Sequence, residues 1–135
     1  MRVVYWSQSG NTQAMAEAVA AAAGVAAEYV GDVAAADLAG EKAFALGCPA
    51  MGAEVLEEGE MEPFVCDLEA NVAGKTIGLF GSYGWGDGQW MRDWVDRMTA
   101  AGATVLGGED CICMDAPDDD ALAACEALGK ALAAI

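Results

Sequence analysis

The sequence predicts an α/β fold: one domain over residues 1–135, with a five-stranded parallel sheet covered by helices on both faces. Two observations carry this reading. Short apolar runs alternate with segments of helical spacing from one end to the other. The joints after the first, third and fourth runs are rich in glycine and small polar residues, as strand-to-helix turns require. A chain of 135 residues is also long enough to bury a real core. It contains no internal repeat, linker or low-complexity tail.

Each element has its own signal. Val3-Val4-Tyr5-Trp6 is an apolar run that predicts the first strand, and Met15, Val19 and Ala22 recur with helical spacing behind it. A weak strand is expected near residues 26–30, followed by a short alanine-rich segment around residues 34–38. Glu41-Lys42 leads into a third strand over residues 43–48. Pro63 suits a helix start, with Met61, Phe64, Val65 and Leu68 as the buried stripe. Gly74-Lys75 opens a fourth strand over residues 76–80. Trp90, Met91, Trp94, Val95 and Met98 then show the best helical periodicity in the chain, a pattern of core packing. The fifth strand is expected over residues 104–114, interrupted at Gly107-Gly108. Asp118 is placed to cap a last helix whose inner face is Leu122, Cys125, Leu128 and Leu132.

Composition narrows the function. Twenty-two acidic residues face six basic ones, a net charge of −16. Nucleic acid and anionic membrane both need a basic patch and are poor partners. A basic protein is the natural complement, because long-range attraction speeds encounter; solubility alone would equally account for the acidity. Apolar residues make up 56% of the chain, yet no run approaches the ~20 residues of a membrane span. The first strand follows Met1 almost at once, leaving no room for a signal peptide, so a cytoplasmic location is expected. Cys48, Cys66, Cys111, Cys113 and Cys125 form no Cys-x-x-Cys, and no histidine is present to complete a zinc site. Cys111 and Cys113 would face the same side of one strand, as buried thiols.

The function is expected at the strands' carboxyl ends, where open parallel sheets bind ligands. Three loops leave those ends. Ser7-Gln8-Ser9-Gly10-Asn11-Thr12 joins the first strand to the first helix and aims backbone N–H groups and the positive end of the helix dipole outward, an anion site. It carries four hydroxyl or amide side chains and no lysine, so it matches neither the nucleoside-triphosphate loop nor the Gly-x-Gly-x-x-Gly fingerprint. The same residues would also serve as a helix cap. Pro49-Ala50-Met51-Gly52-Ala53-Glu54 follows the third strand, and Gly81-Ser82-Tyr83-Gly84-Trp85-Gly86-Asp87-Gly88 the fourth. Their convergence on one rim is what argues for a site.

Together the three loops resemble the flavin-binding loops of the short-chain flavodoxins, those of the clostridial type above all, and the resemblance runs through the whole chain. It implies a flavodoxin-like three-layer sandwich with strand order 2-1-3-4-5, for which that family is a standard example. The short break at Gly107-Gly108 agrees with the short class. It further implies a monomer with non-covalently bound FMN, cycling between semiquinone and hydroquinone as a low-potential one-electron carrier between reductases and oxidoreductases, a ferredoxin-like role met through basic partner surfaces.

By the same resemblance, Ser7, Ser9, Asn11 and Thr12 hold the phosphate with the loop amides of Gln8 and Gly10. Trp85 and Met51 cover the two faces of the ring, with Pro49 and Ala50 beside it. The Gly52 carbonyl meets N5–H of the reduced flavin, and the Glu54 carboxylate meets N3–H. Ser82, Tyr83, Gly84 and Gly86 supply contacts to the pyrimidine edge. Ser9 stands where threonine is commoner, and Ala53 where a polar residue is common. A rotated turn at Gly52–Ala53 would want positive φ at residue 53, where alanine costs about 1 kcal/mol.

No histidine and no nucleophile beside a base is available to move substrate protons, so the flavin would do the chemistry and the protein would set its potential. One carboxylate ~12 Å from a reduced flavin anion opposes it by about 1.4 kcal/mol at an effective dielectric of ~20, before salt screening. A quinone reductase on the same fold would add loops absent from this chain. A phosphoacceptor domain would need acids after the first strand, where Ser7-Gln8 stand.

Overall fold

The computed structural model describes residues 1–135. Its strands are β1 (Arg2–Tyr5), β2 (Ala27–Tyr29), β3 (Ala43–Gly47), β4 (Thr76–Tyr83), β5 (Thr104–Val105) and β6 (Ile112–Met114); its helices are α1 (Asn11–Ala23), α2 (Met61–Glu69), α3 (Gln89–Ala100) and α4 (Asp119–Ala133). All sheet pairings are parallel in the order β2-β1-β3-β4-β5, with β6 paired to the distal half of β4. The alanine-rich segment at Ala35–Leu38 forms a 3₁₀ turn. No helix is long and apolar enough to cross a membrane.

The pleat sorts side chains by size. In β3, Phe44 and Leu46 point to one face and Ala43 and Ala45 to the other. The first face carries the larger core, where α2 contributes Met61, Phe64, Val65 and Leu68, and α3 contributes Trp90, Met91, Trp94 and Met98. Both stripes match the sequence reading residue for residue, apart from Val95, which is half-buried. Trp90 Nε1 donates to the Cys48 carbonyl at 3.1 Å and so ties α3 to the end of β3. The second face is lined by small residues. There α1 buries Met15, Ala16, Val19 and Ala20, and α4 buries Cys125, Leu128, Gly129 and Leu132. Ala22 and Leu122 are only half-buried. Asp118 caps α4 as expected, its carboxylate accepting from the Ala121 N–H at 2.8 Å.

Two expected boundaries shift. The expected fourth strand, residues 76–80, extends through Gly81-Ser82-Tyr83, because Ile112–Met114 pairs with those three residues. The expected fifth strand is divided by six residues, 106–111, and not by Gly107-Gly108 alone. Both glycines have positive φ, +80° and +56°, which turns the chain out of the ladder before it returns as β6. The thiols divide as well. Cys48, Cys111 and Cys125 are buried, Cys113 is half-buried and Cys66 is exposed. Cys111 and Cys113 do face the same side, toward α4 and α1.

An ion-pair network joins α2 to α3. Arg97 donates to Glu62 at 2.7 and 2.6 Å and to Glu69 at 2.7 Å. Arg97 holds the Glu62 carboxyl below its ordinary value of 4.5, chiefly through these hydrogen bonds. Their contribution is therefore full above pH 4.5 and is lost as pH falls through the lower folded-state value. Arg97→Met will be less stable than the parent at pH 7, and the gap will narrow toward pH 3 in denaturant titrations. A gap independent of pH would assign the effect to packing of the arginine stem.

Candidate functional site

The three glycine-rich loops meet at the carboxyl edge of β1, β3 and β4. The first is shaped by Gly10, whose φ of +94° lets the chain turn into α1. Ser7 Oγ accepts the N–H groups of Gly10 and Gln13, each at 3.2 Å, and so caps the helix from outside. Its own proton remains available to an acceptor in the cleft. The amides of Asn11 and Thr12, in the first turn of α1, have no intrahelical acceptor. No acidic residue occupies that turn, so the positive end of the helix dipole is uncompensated. Thr12 is 1% exposed, and its hydroxyl lies 3.2 Å from Ser82 Oγ while accepting the Ser82 N–H at 3.4 Å. This buried bridge locks the first loop onto the end of β4.

These residues line one cleft of about 160 Å³. Ser7, Gln8, Ser9, Asn11 and Thr12 form its polar end. Pro49, Ala50 and Met51 line it from the second loop, and Ser82, Tyr83 and Gly84 line it from the third. Ala50 N–H donates to the Ser82 carbonyl at 3.1 Å, which holds the two loops together. Tyr83 packs on Trp90, ring centroids 5.4 Å apart.

The remaining sequence-predicted residues stand around this cleft. Trp85 is 59% exposed at the tip of the third loop. Gly52 and Ala53 lie beyond Met51, beside a second cavity shared with Trp6, Val55 and Glu57. Glu54 is not among the residues that line the cleft; its carboxylate accepts from the Gln89 N–H at 3.2 Å and caps α3. Gly86 makes room for that carboxylate, since a Cβ there would lie 2.4 Å from Glu54 Oε1. The turn itself is closed by paired hydrogen bonds between Met51 and Val55, N to O at 2.9 and 3.0 Å. In this conformation the left-handed residues are Gly52 (φ +49°) and Glu54 (φ +55°), not Ala53. Ala53 is not in the left-handed region here, so alanine at 53 carries no strain in this conformation.

One residue of the cleft and one helix cap were missed from sequence. Asp115 lines the cleft from the loop after β6, with φ +59° and its N–H donating to the Tyr83 carbonyl at 2.8 Å. Its signal was available, because the loop after the last strand opens on the same rim as the other three. Glu57 accepts the N–H groups of Gly59, Glu60 and Met61 at 2.6, 2.8 and 2.9 Å and caps α2 beside the second cavity. No sequence signal marks it, since the carboxylate reaches forward from outside the helix.

The donor set fits FMN. The polar end offers hydroxyls and unpartnered amides to a phosphate. Pro49, Ala50 and Met51 offer apolar surface to a planar ring, and Trp85 stands exposed next to Gly84 in the chain.

A family model described as "Flavodoxin" matches residues 3–128. The chain is 46% identical to a flavodoxin of Megasphaera elsdenii over 138 residues, 98% of each chain. It is 44% identical to a flavodoxin of Clostridium beijerinckii over 140 residues, covering all of both. The fold superposes on the solution structure of the two-electron reduced Megasphaera elsdenii flavodoxin with a TM-score of 0.84, covering 99% of this chain and 98% of that one.

Proposed function

The chain belongs to the flavodoxin family, FMN-binding electron carriers without substrate turnover of their own, and we propose that its flavin occupies the cleft at the carboxyl edge of β1, β3 and β4. The observation that carries this reading is the convergence of Ser7–Thr12, Pro49–Met51 and Ser82–Gly84 on one cleft at the positive end of α1. When bound, FMN supplies the one-electron chemistry. The chain's residues bind it, orient it and set the charge around it. Ser7, Ser9, Asn11 and Thr12 donate to the phosphate with the loop amide of Gln8, and Gly10 turns the loop that presents them. Met51 and Trp85 cover the ring faces, Pro49 and Ala50 support the Met51 side, and Ser82, Tyr83, Gly84 and Gly86 shape the opposite edge. Gly52 would offer its carbonyl to the reduced ring, and nothing lies within 4 Å of a would-be Cβ there. Glu54 and Ala53 complete that loop. Asp115 adds a negative charge at the cleft wall, which disfavours negative charge on the reduced ring.

The carrier works as a single-domain monomer, kept apart from its own copies by a net charge of −16, and meets redox partners through their basic surfaces. Five unpaired cysteines suit a reducing, cytoplasmic setting. The test is electron transfer. Apo-protein will take up one equivalent of FMN, and the reduced form will pass electrons to a basic haem protein in stopped flow. The rate will fall several-fold from ~0.05 to ~0.5 M salt, because screening removes the long-range attraction. A rate that stays flat across salt would return the acidity to a solubility role.

A further inference from the structure

Outside the cleft, the densest reactive chemistry lies between α4 and the sheet. Cys111, just before β6, and Cys125, on α4, bring their sulfurs to 3.6 Å. Cys125 is fully buried and Cys111 is 9% exposed. Cys111 also forms part of the wall of an apolar groove of about 360 Å³, bordered by Leu106 and Gly107 on one side and by Ala124, Ala127, Leu128 and Ala131 of α4 on the other. We propose that Cys111 and Cys125 form a dithiol site that a small hydroperoxide, entering through this groove, closes to a disulfide.

The roles follow from position. Cys111 faces the groove and is the attacking thiol; Cys125, sealed behind it, is the resolving one. The hydrogen bond shared with Cys125 holds Cys111 below the ordinary thiol value against the opposing effect of burial. The Cys111 thiolate attacks one peroxide oxygen and the O–O bond breaks. Cys111 becomes a sulfenic acid, and the other oxygen leaves with the proton the thiol gave up. The Cys125 sulfur then attacks the Cys111 sulfur, the S–S bond forms, the S–O bond breaks, and water leaves with the Cys125 proton. Two thiols and one hydroperoxide yield one disulfide, one alcohol and one water, with two electrons passing from sulfur to peroxide. The sulfurs must close from 3.6 Å to a bond of ~2.05 Å. The cross-link would join α4 to the segment that leads into β6, the strand that pairs with Gly81–Tyr83 and precedes Asp115 at the cleft.

Cys113 and Cys66 are the competing thiols. Cys113 lies 3.6 Å from Met15 Sδ, and Cys66 is exposed beside Glu62. The experiment uses the full FMN-loaded chain carrying Cys66→Ser, treated with one equivalent of tert-butyl hydroperoxide, alkylated under denaturing conditions and mapped by mass spectrometry. Expected are a fall from four alkylatable thiols to two, a peptide pair joining Cys111 to Cys125, and full recovery with dithiothreitol. Adding Cys125→Ser should leave Cys111 as a sulfenic acid trapped by dimedone. Four intact thiols, or oxidation centred on Cys113, overturns the proposal on the parent background alone, so no buried variant has to fold for it to fail. Neither result depends on how the flavin is held, because the readout is on sulfur.

Discussion

Apo-protein will bind FMN about a hundredfold or more tightly than riboflavin, and FAD will bind poorly. The difference between the first two ligands is the phosphate, and the cleft's polar end presents the amides of Asn11 and Thr12 with the hydroxyls of Ser7, Ser9 and Thr12. A hydrogen bond to a charged group is worth about 1.5–3 kcal/mol, so two net bonds amount to ~3 kcal/mol or more, roughly two decades in affinity. The uncompensated dipole of α1 acts in the same direction. In FAD the phosphate is esterified to an adenylate, so it has one fewer free oxygen for these donors and adds bulk at the loop. Ser9→Ala separates the phosphate loop from the ring site: Ser9 is exposed and caps nothing within the chain. The substitution should weaken FMN binding several-fold and leave riboflavin binding unchanged. Quenching of flavin fluorescence during titration measures all of these. Equal affinities for FMN and riboflavin would reduce the Ser7–Thr12 loop to a helix cap.

Gly129→Ala will destabilise the fold by about 2 kcal/mol. Helix propensity alone argues the opposite, since alanine is favoured over glycine within a helix by about 1 kcal/mol. A Cβ at 129 would lie 2.2 Å from the Val19 carbonyl oxygen and 3.0 Å from its carbon. That obstacle is the main chain of α1, and it cannot swing aside as a side-chain tip would. Either α4 moves off α1, exposing the interface that holds Cys125, Leu128 and Leu132, or the helix bends. Either response outweighs the propensity gain. Thermal unfolding should show a fall of roughly 6–10 °C, while Gly40→Ala, with nothing within 4 Å of the new Cβ, should move the midpoint little. A rise for Gly129→Ala would mean that α1 and α4 do not touch through their backbones.

The site was legible in sequence as three loops and less so as individual roles. Ser7, Ser9, Asn11 and Thr12 stand at the mouth of α1 because a strand, a polar glycine turn and a helical stripe follow one another within the first twenty residues. Local order suffices to place them. Glu54 shows the limit. Its position in the second loop was readable, but its carboxylate is held 35 residues away by the amide that opens α3. Asp115 falls on the same side of that limit, because its partner, the Tyr83 carbonyl, is set by how loops stack and not by any spacing along the chain.

The amino-acid sequence by itself determined the class of the fold, the two amphipathic stripes of α2 and α3, the Asp118 cap and the loops that form the rim. Each depends on a period of 2 or 3.6 residues or on a cap within four positions, and such patterns are written in adjacent residues. Tertiary structure alone decided where β4 ends, how the last strand divides, which glycines are contact points and which thiols meet. Gly81-Ser82-Tyr83 has the composition of a turn, yet it is strand because β6 returns to pair with it. Gly129 reads as a weak spot in a helix, yet it is the point where α4 rests on the Val19 carbonyl. Cys111 and Cys125 are fourteen residues apart and adjacent in space, because α4 folds back over the sheet that Cys111 has just entered. These contacts join segments whose separation along the chain carries no periodic signal, so only the packed molecule brings them together.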